Sequence, residues 1–114
     1  MKTTILHNPR CSKSRETLQL LKDKGEDIEV IKYLDDVPTR EELENILSLL
    51  NINPIELVRT KEAIWKDNYK DKVLSDSEVI DAMLKNPRLI ERPIVIKNNK
   101  AIIGRPPQNV LDIL

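Results

Sequence analysis

"TTILHNPRCSKSRETLQLLKDKG", residues 3–25, decides the fold. It opens on a short β-branched and apolar run, which predicts a strand at 3–6. After a polar loop, Leu18 and Leu21 recur one helical turn apart, and Gly25 stands where a helix stop is expected. "DIEVIKYL" (27–34) then places Ile28, Val30 and Ile31 in a second strand at 28–32. Strand, helix and strand within about thirty residues predict a right-handed βαβ unit with parallel strands.

Further along, "PTREELENILSLLN" (38–51) carries a capping box, Thr39 with Glu42, ahead of Leu43, Ile46, Leu47 and Leu50 at the helical period. "NPIELV" (53–58) restarts with Asn53 as cap and Pro54 in the first turn. "SDSEVIDAMLKNP" (75–87) repeats the logic with Ser75 and Glu78. Val79, Ile80, Met83 and Leu84 are expected to face inward, and Asn86-Pro87 to stop the helix. The charged "TKEAIWKDNYKDKVL" (60–74) reads as a helical turn or a lid. In "RPIVIKNNKAIIGRPP" (92–107), 94–97 should pair with 100–103 across Asn98-Asn99. Two asparagines tolerate the positive φ of a two-residue turn. "PPQNVLDIL" offers Pro106 or Pro107 at a last helix start, with Val110, Leu111 and Leu114 apolar. That helix looks cut short at Leu114. The order βαβ, helices, ββα is that of an α/β thioredoxin-like sheet. It predicts a single domain over 1–114 with a helical insertion at about 39–86.

A chain of 114 residues suits one core, and with no Phe that core must be Leu, Ile and Val. Nineteen basic and nineteen acidic residues cancel, so no global attraction to nucleic acid or an anionic membrane is expected. The start is no signal peptide, no apolar run approaches the ~20 residues of a membrane span, and one cysteine cannot form an internal disulfide. A reduced, cytoplasmic protein is the expectation.

The lone Cys11 falls in the loop that opens the first helix, outside the carboxyl end of the first strand, where parallel α/β sheets bind ligands. Free N–H groups at a helix start favour a thiolate, and helix N-termini with nearby cations bring thiols to roughly pKa 3.5–7.5. His7, Arg10 and Arg15 are the local candidates to assist. A lone cysteine is commonly a buried, inert small hydrophobe, but Cys11 has no apolar neighbour within four residues. From remote segments come Arg59, Arg92 before Pro93, and Arg105 before Pro106. Taken singly each reads as a surface residue, and Arg40 and Arg88 as no more than that. Converging on a thiolate, arginine forks would grip a tetrahedral oxyanion. A cis Arg92-Pro93 bond fits such a site. Zinc needs more thiols or imidazoles. A thioredoxin-type dithiol needs a second Cys where Ser14 stands, and a phosphatase loop needs an arginine where Thr17 stands. With only Gly25 and Gly104 there is no Gly-rich phosphate loop.

"HNPRCSKSRETL", "YL" followed by "PTREEL", "LVRTKE", "ERPIVI" and "IGRPPQNVL" resemble, in order and spacing, the arsenate reductases of the glutathione/glutaredoxin-coupled class, over residues 4–114. The resemblance implies a thioredoxin-like fold and reduction of arsenate to arsenite. It implies that Cys11 is the nucleophile forming a thiol–arsenate adduct, and that Arg59, Arg92 and Arg105 bind the oxyanion. His7 would assist ionisation of the thiol, and Ser14 would hydrogen-bond the thiolate. No bound cofactor is implied; glutathione is the thiol co-substrate and glutaredoxin the partner that clears the mixed disulfide. No nucleic acid or membrane partner is expected.

Arg10 departs from the family pattern, which has a small residue before the cysteine. It would either tighten anion binding or reshape the site for another thiol substrate. Two other readings therefore stand beside the first. One is a glutathione-linked oxidoreductase for mixed disulfides, with Arg10 and Lys13 meeting the glutathione carboxylates. The other is an Spx-type regulator that binds RNA polymerase, which Ser14 in place of a second cysteine disfavours.

Overall fold

The computed structural model describes residues 2–114. The chain forms two compact units: the segment up to Asp36 together with Arg92–Leu114, and Val37–Glu91.

The first unit is built on β1 (Lys2–Leu6), α1 (Ser12–Asp23), β2 (Asp27–Ile31), β3 (Ile94–Lys97) and β4 (Lys100–Ile103). Its sheet runs β2-β1-β3-β4. β1 pairs parallel with β2 and antiparallel with β3, and β3 pairs antiparallel with β4. The expected strand–helix–strand start is thus present with parallel strands, each strand within a residue of its expected bounds. The hairpin holds the expected register, Ile94 opposite Ile103 and Lys97 opposite Lys100. Asn98 and Asn99 take φ of 55° and 60° at its tip.

α1 begins at Ser12, so Cys11 itself is the N-cap, with extended backbone. Its stop is as expected: Lys24 is the C-cap and Gly25 follows at φ 71°. Ile5, Leu21, Val95 and Val110 form the core of this unit, joined by Leu18, Ile28 and Ile102. Burying four such side chains removes each from water for about 1.5–3 kcal/mol, which fixes α1 on the sheet. The last helix differs from expectation. Pro107–Ile113 is a 3₁₀ helix, whose three-residue turn puts Pro107, Val110 and Ile113 on one face. Val110 is buried while Leu111 and Leu114 are exposed. The Arg92-Pro93 and Arg105-Pro106 peptides are both cis; only the first was expected.

The second unit holds α2 (Arg40–Leu50), a 3₁₀ turn at Pro54–Leu57, α3 (Ala63–Asn68), α4 (Asp76–Lys85) and a 3₁₀ turn at Pro87–Leu89. Both expected capping boxes close: Thr39 with Glu42 at 2.9 and 3.1 Å, Ser75 with Glu78 at 3.0 and 3.2 Å. The Asn53 N–H donates to Glu56 Oε2 at 2.7 Å at the head of the first 3₁₀ turn. Leu43, Ile46, Leu47, Val79, Ile80 and Met83 are buried as their periodicity requires. Leu84 is only half-buried, and Ala82 takes the inward position instead. Arg40 ties the starts of the two helices together, reaching Asp81 at 2.6 Å and the Ser77 carbonyl at 3.2 Å. The 60–74 stretch contains the short α3, where Trp65 stacks on Tyr69 with ring centroids 5.2 Å apart. No helix among the described residues is long and apolar enough to cross a membrane.

This α/β order, with a mixed four-stranded sheet and the cysteine at the head of α1, is thioredoxin-like.

Candidate active site

The loop from β1 to α1 is shaped by Asn8. Its side-chain Oδ1 accepts the Arg10 N–H at 3.0 Å, its carbonyl accepts the Cys11 N–H at 3.0 Å, and its own N–H donates to Ser14 Oγ at 3.0 Å. An asparagine followed by proline favours such a turn. That signal was in the sequence, but Asn8 was not among the expected site residues. The turn delivers Cys11 as the N-cap, and the Arg15 N–H donates to the Cys11 carbonyl at 3.0 Å.

Cys11 is a free thiol with only 8% of its surface exposed. Its burial is unlike that of an inert core cysteine, because what closes over the sulfur is polar. Arg105 Nη2 lies 3.6 Å from Sγ. Desolvation pushes the thiol pKa up. The Ser14 backbone N–H, the Arg92 guanidinium and the Lys13 backbone N–H together outweigh it and hold the thiol below its ordinary value. These are the contributions a helix start and a cation are expected to make.

The two arginines come from the ends of the hairpin. Arg92 precedes β3 and Arg105 follows β4, and pairing of Ile94 with Ile103 brings their backbones side by side. Arg105 Nε donates to the Arg92 carbonyl at 2.8 Å, so one guanidinium braces the strand that carries the other.

Ser14 and His7 are both buried. His7 Nδ1 and Ser14 Oγ are 2.6 Å apart. Burial, then Lys32, Lys22 and Arg15, lower the imidazole pKa. The folded state thus disfavours the imidazolium form. The contacts are positional: His7 fixes Ser14 Oγ, and Ser14 Oγ fixes the loop through Asn8. Ser14 meets the sulfur through its backbone N–H.

The remaining expected residues are placed as follows. Arg10 is exposed, with its backbone N–H on Asn8. Arg15 is exposed and donates from Nη1 to the Pro9 carbonyl at 3.0 Å. Arg59 belongs to the second unit, two residues beyond the first 3₁₀ turn. There its N–H donates to the Leu89 carbonyl at 2.7 Å, with Glu62 and Glu91 carboxylates 3.6 and 3.9 Å from its guanidinium. Its buried Nη1 has no hydrogen-bond partner among the described residues. Cys11, His7, Ser14, Arg92 and Arg105 are thus assembled within the first unit.

A thiol held toward thiolate beside two guanidinium groups can attack an electrophile that carries anionic oxygens, with the arginines taking up the charge. Comparison with known proteins agrees with that chemistry. The ArsC family model matches residues 6–113. A protein of Escherichia coli K12 described as uncharacterized protein YfgD is 51% identical over 112 residues, covering 96% of this chain and 94% of its own. An arsenate reductase of Haemophilus influenzae is 45% identical over 116 residues, covering 100% of both chains. The structure of an arsenate reductase from Vibrio cholerae superposes with a TM-score of 0.95 at 48% identity, covering 100% of this chain and 98% of that one. With the thiol and the arginines inside the matched stretch, which spans most of the chain, this chain belongs to the ArsC family.

Proposed function

We propose that this chain is an arsenate reductase, with Cys11 as nucleophile and glutathione and glutaredoxin as its reductants. The observation that carries the reading is the Arg105 guanidinium 3.6 Å from the Cys11 sulfur, on a thiol held below its ordinary pKa. A relative named arsenate reductase, 45% identical over the whole chain, supports the same substrate.

The Cys11 thiolate attacks arsenic(V), and an arsenate oxygen leaves as water, giving a sulfur–arsenic bond. Arg92 and Arg105 hold the remaining oxyanion. Glutathione thiolate then attacks the Cys11 sulfur. The electron pair of the sulfur–arsenic bond passes to arsenic, which leaves as arsenite, and Cys11 is left in a mixed disulfide with glutathione. A glutaredoxin thiolate attacks that disulfide on its glutathione sulfur and returns Cys11 to the thiol. With a single cysteine in the chain, the second sulfur must come from outside. A glutathione-type reductant belongs to a reducing compartment, so the proposal includes a cytoplasmic setting.

The test is arsenate-dependent NADPH oxidation with glutathione, glutaredoxin and glutathione reductase. Turnover that disappears in Cys11→Ser is the expected result. Folded protein that oxidises no NADPH with arsenate rejects the reading. Mixed-disulfide reduction in the same assay, without arsenate, would favour a glutathione-linked oxidoreductase.

A further inference from the structure

One buried contact in the first unit joins the helix that Cys11 caps to the chain neighbours of Arg92 and Arg105. Gly104 is buried at the exit of β4, and its N–H donates to the Pro93 carbonyl at 2.9 Å. A Cβ added there would lie 2.8 Å from Thr17 Oγ1, 3.1 Å from Thr17 Cγ2 and 3.0 Å from Pro93 Cγ. Glycine is required here for proximity, because its φ is not in the left-handed region. Thr17 cannot simply turn aside. It is fully buried, and its hydroxyl donates to the Lys13 carbonyl at 2.8 Å, with the Gly104 carbonyl at 3.5 Å.

Each of the three residues in this junction neighbours a part of the site. Thr17 sits on α1, the helix that Cys11 caps; Arg105 follows Gly104; Arg92 precedes Pro93. Room for a Cβ can be made only by separating α1 from the hairpin ends. That movement draws the sulfur away from both guanidinium groups, one of which already stands at 3.6 Å. The groups facing the sulfur are these two arginines from the hairpin and the Lys13 and Ser14 N–H groups from α1. The last two travel with Cys11 and would not change.

We propose that Gly104, through its contact with Thr17, is a positioning residue that sets the separation between the Cys11 sulfur and the guanidinium groups of Arg92 and Arg105. This rests on Cys11 being the nucleophile of the proposed reaction, but its test needs no arsenate.

The experiment follows Cys11 alkylation by iodoacetamide against pH, in Gly104→Ala and in the double variant Gly104→Ala with Thr17→Ala. Gly104→Ala should move the pH midpoint upward and slow alkylation near neutral pH by about threefold. The double variant, in which Thr17→Ala vacates the volume the new methyl needs, should return both toward wild type. Should Gly104→Ala alone not fold, Thr17→Leu wedges the same junction from the helix side and must raise the midpoint likewise. A Gly104→Ala protein with lowered melting temperature and an unmoved midpoint would overturn the proposal. So would a folded double variant whose midpoint stays raised. A raised midpoint in Gly104→Ala beside a folded wild type that reduces no arsenate keeps the spacer role and rejects the proposed function. An unmoved midpoint in an active enzyme does the reverse.

Discussion

Replacing Arg105 by alanine removes the guanidinium 3.6 Å from the Cys11 sulfur. Two unit charges at that distance interact by about 1 kcal/mol in water and about 4 kcal/mol at the effective dielectric of a protein surface. Arg105 is exposed, so screening pulls the figure down, whereas Cys11 is mostly shielded from solvent. Exposed ion pairs are worth ~0.2–1 kcal/mol and hydrogen bonds to charged groups ~1.5–3 kcal/mol. Loss of about 1.4 kcal/mol is the resulting expectation, a tenfold shift of the thiol equilibrium away from thiolate. The surviving thiolate is more basic and hence more nucleophilic, by about threefold at a Brønsted slope of ~0.45. Alkylation by iodoacetamide at a fixed pH below the midpoint should therefore slow only about threefold, while the midpoint of the rate–pH profile moves up. Arg105→Lys keeps the charge but loses the fork that also binds the Arg92 carbonyl, and should fall between. A midpoint unchanged or lowered in Arg105→Ala, with the fold intact, would refute a direct contribution of Arg105 and leave Arg92 with the Ser14 and Lys13 N–H groups as what holds the thiol down.

Stability should register the same chemistry. Cys11 has a folded pKa below its unfolded value, so its contribution is present above the unfolded pKa of about 8.5 and is lost as pH falls through the folded pKa. Urea titrations of wild type and Cys11→Ala across pH should diverge in the wild type's favour as pH rises through that window. His7 also has a lowered folded pKa, so the folded state resists protonating it. Wild type should lose stability below about pH 6.5 more steeply than His7→Asn, and parallel curves would argue against the buried neutral ring. Thr39→Ala and Ser75→Ala each open a closed capping box and should cost about 1 kcal/mol in urea unfolding. An effect on thiol reactivity from either would contradict a purely local role.

Local chemistry carried the elements. The β-branched and apolar strand runs, the Thr39 and Ser75 boxes and the Asn98-Asn99 tip are written in neighbouring residues, and each forms where it is expected. Cys11 at the helix start was legible for the same reason. Other features depend on groups remote in the chain. Gly104 against Thr17 is a contact across 87 positions, so "GRPP" alone gives no reason for its glycine. The lowered pKa of His7 depends on burial and on Lys32 and Lys22, none of them adjacent. The last helix is ambiguous in the sequence, because Val110, Leu111 and Leu114 fit the α-helical period while Pro107, Val110 and Ile113 fit a period of three; the core around Val110, with Ile113 packed on it, selects the latter.

Arg92 and Arg105 hang from the two free tips of one hairpin, whose closed bend lies at Asn98-Asn99. The guanidinium pair is therefore inherited as a single part. Deleting one asparagine at the bend would slide one strand along the other and disengage the pair together, from a place that never meets the reactants.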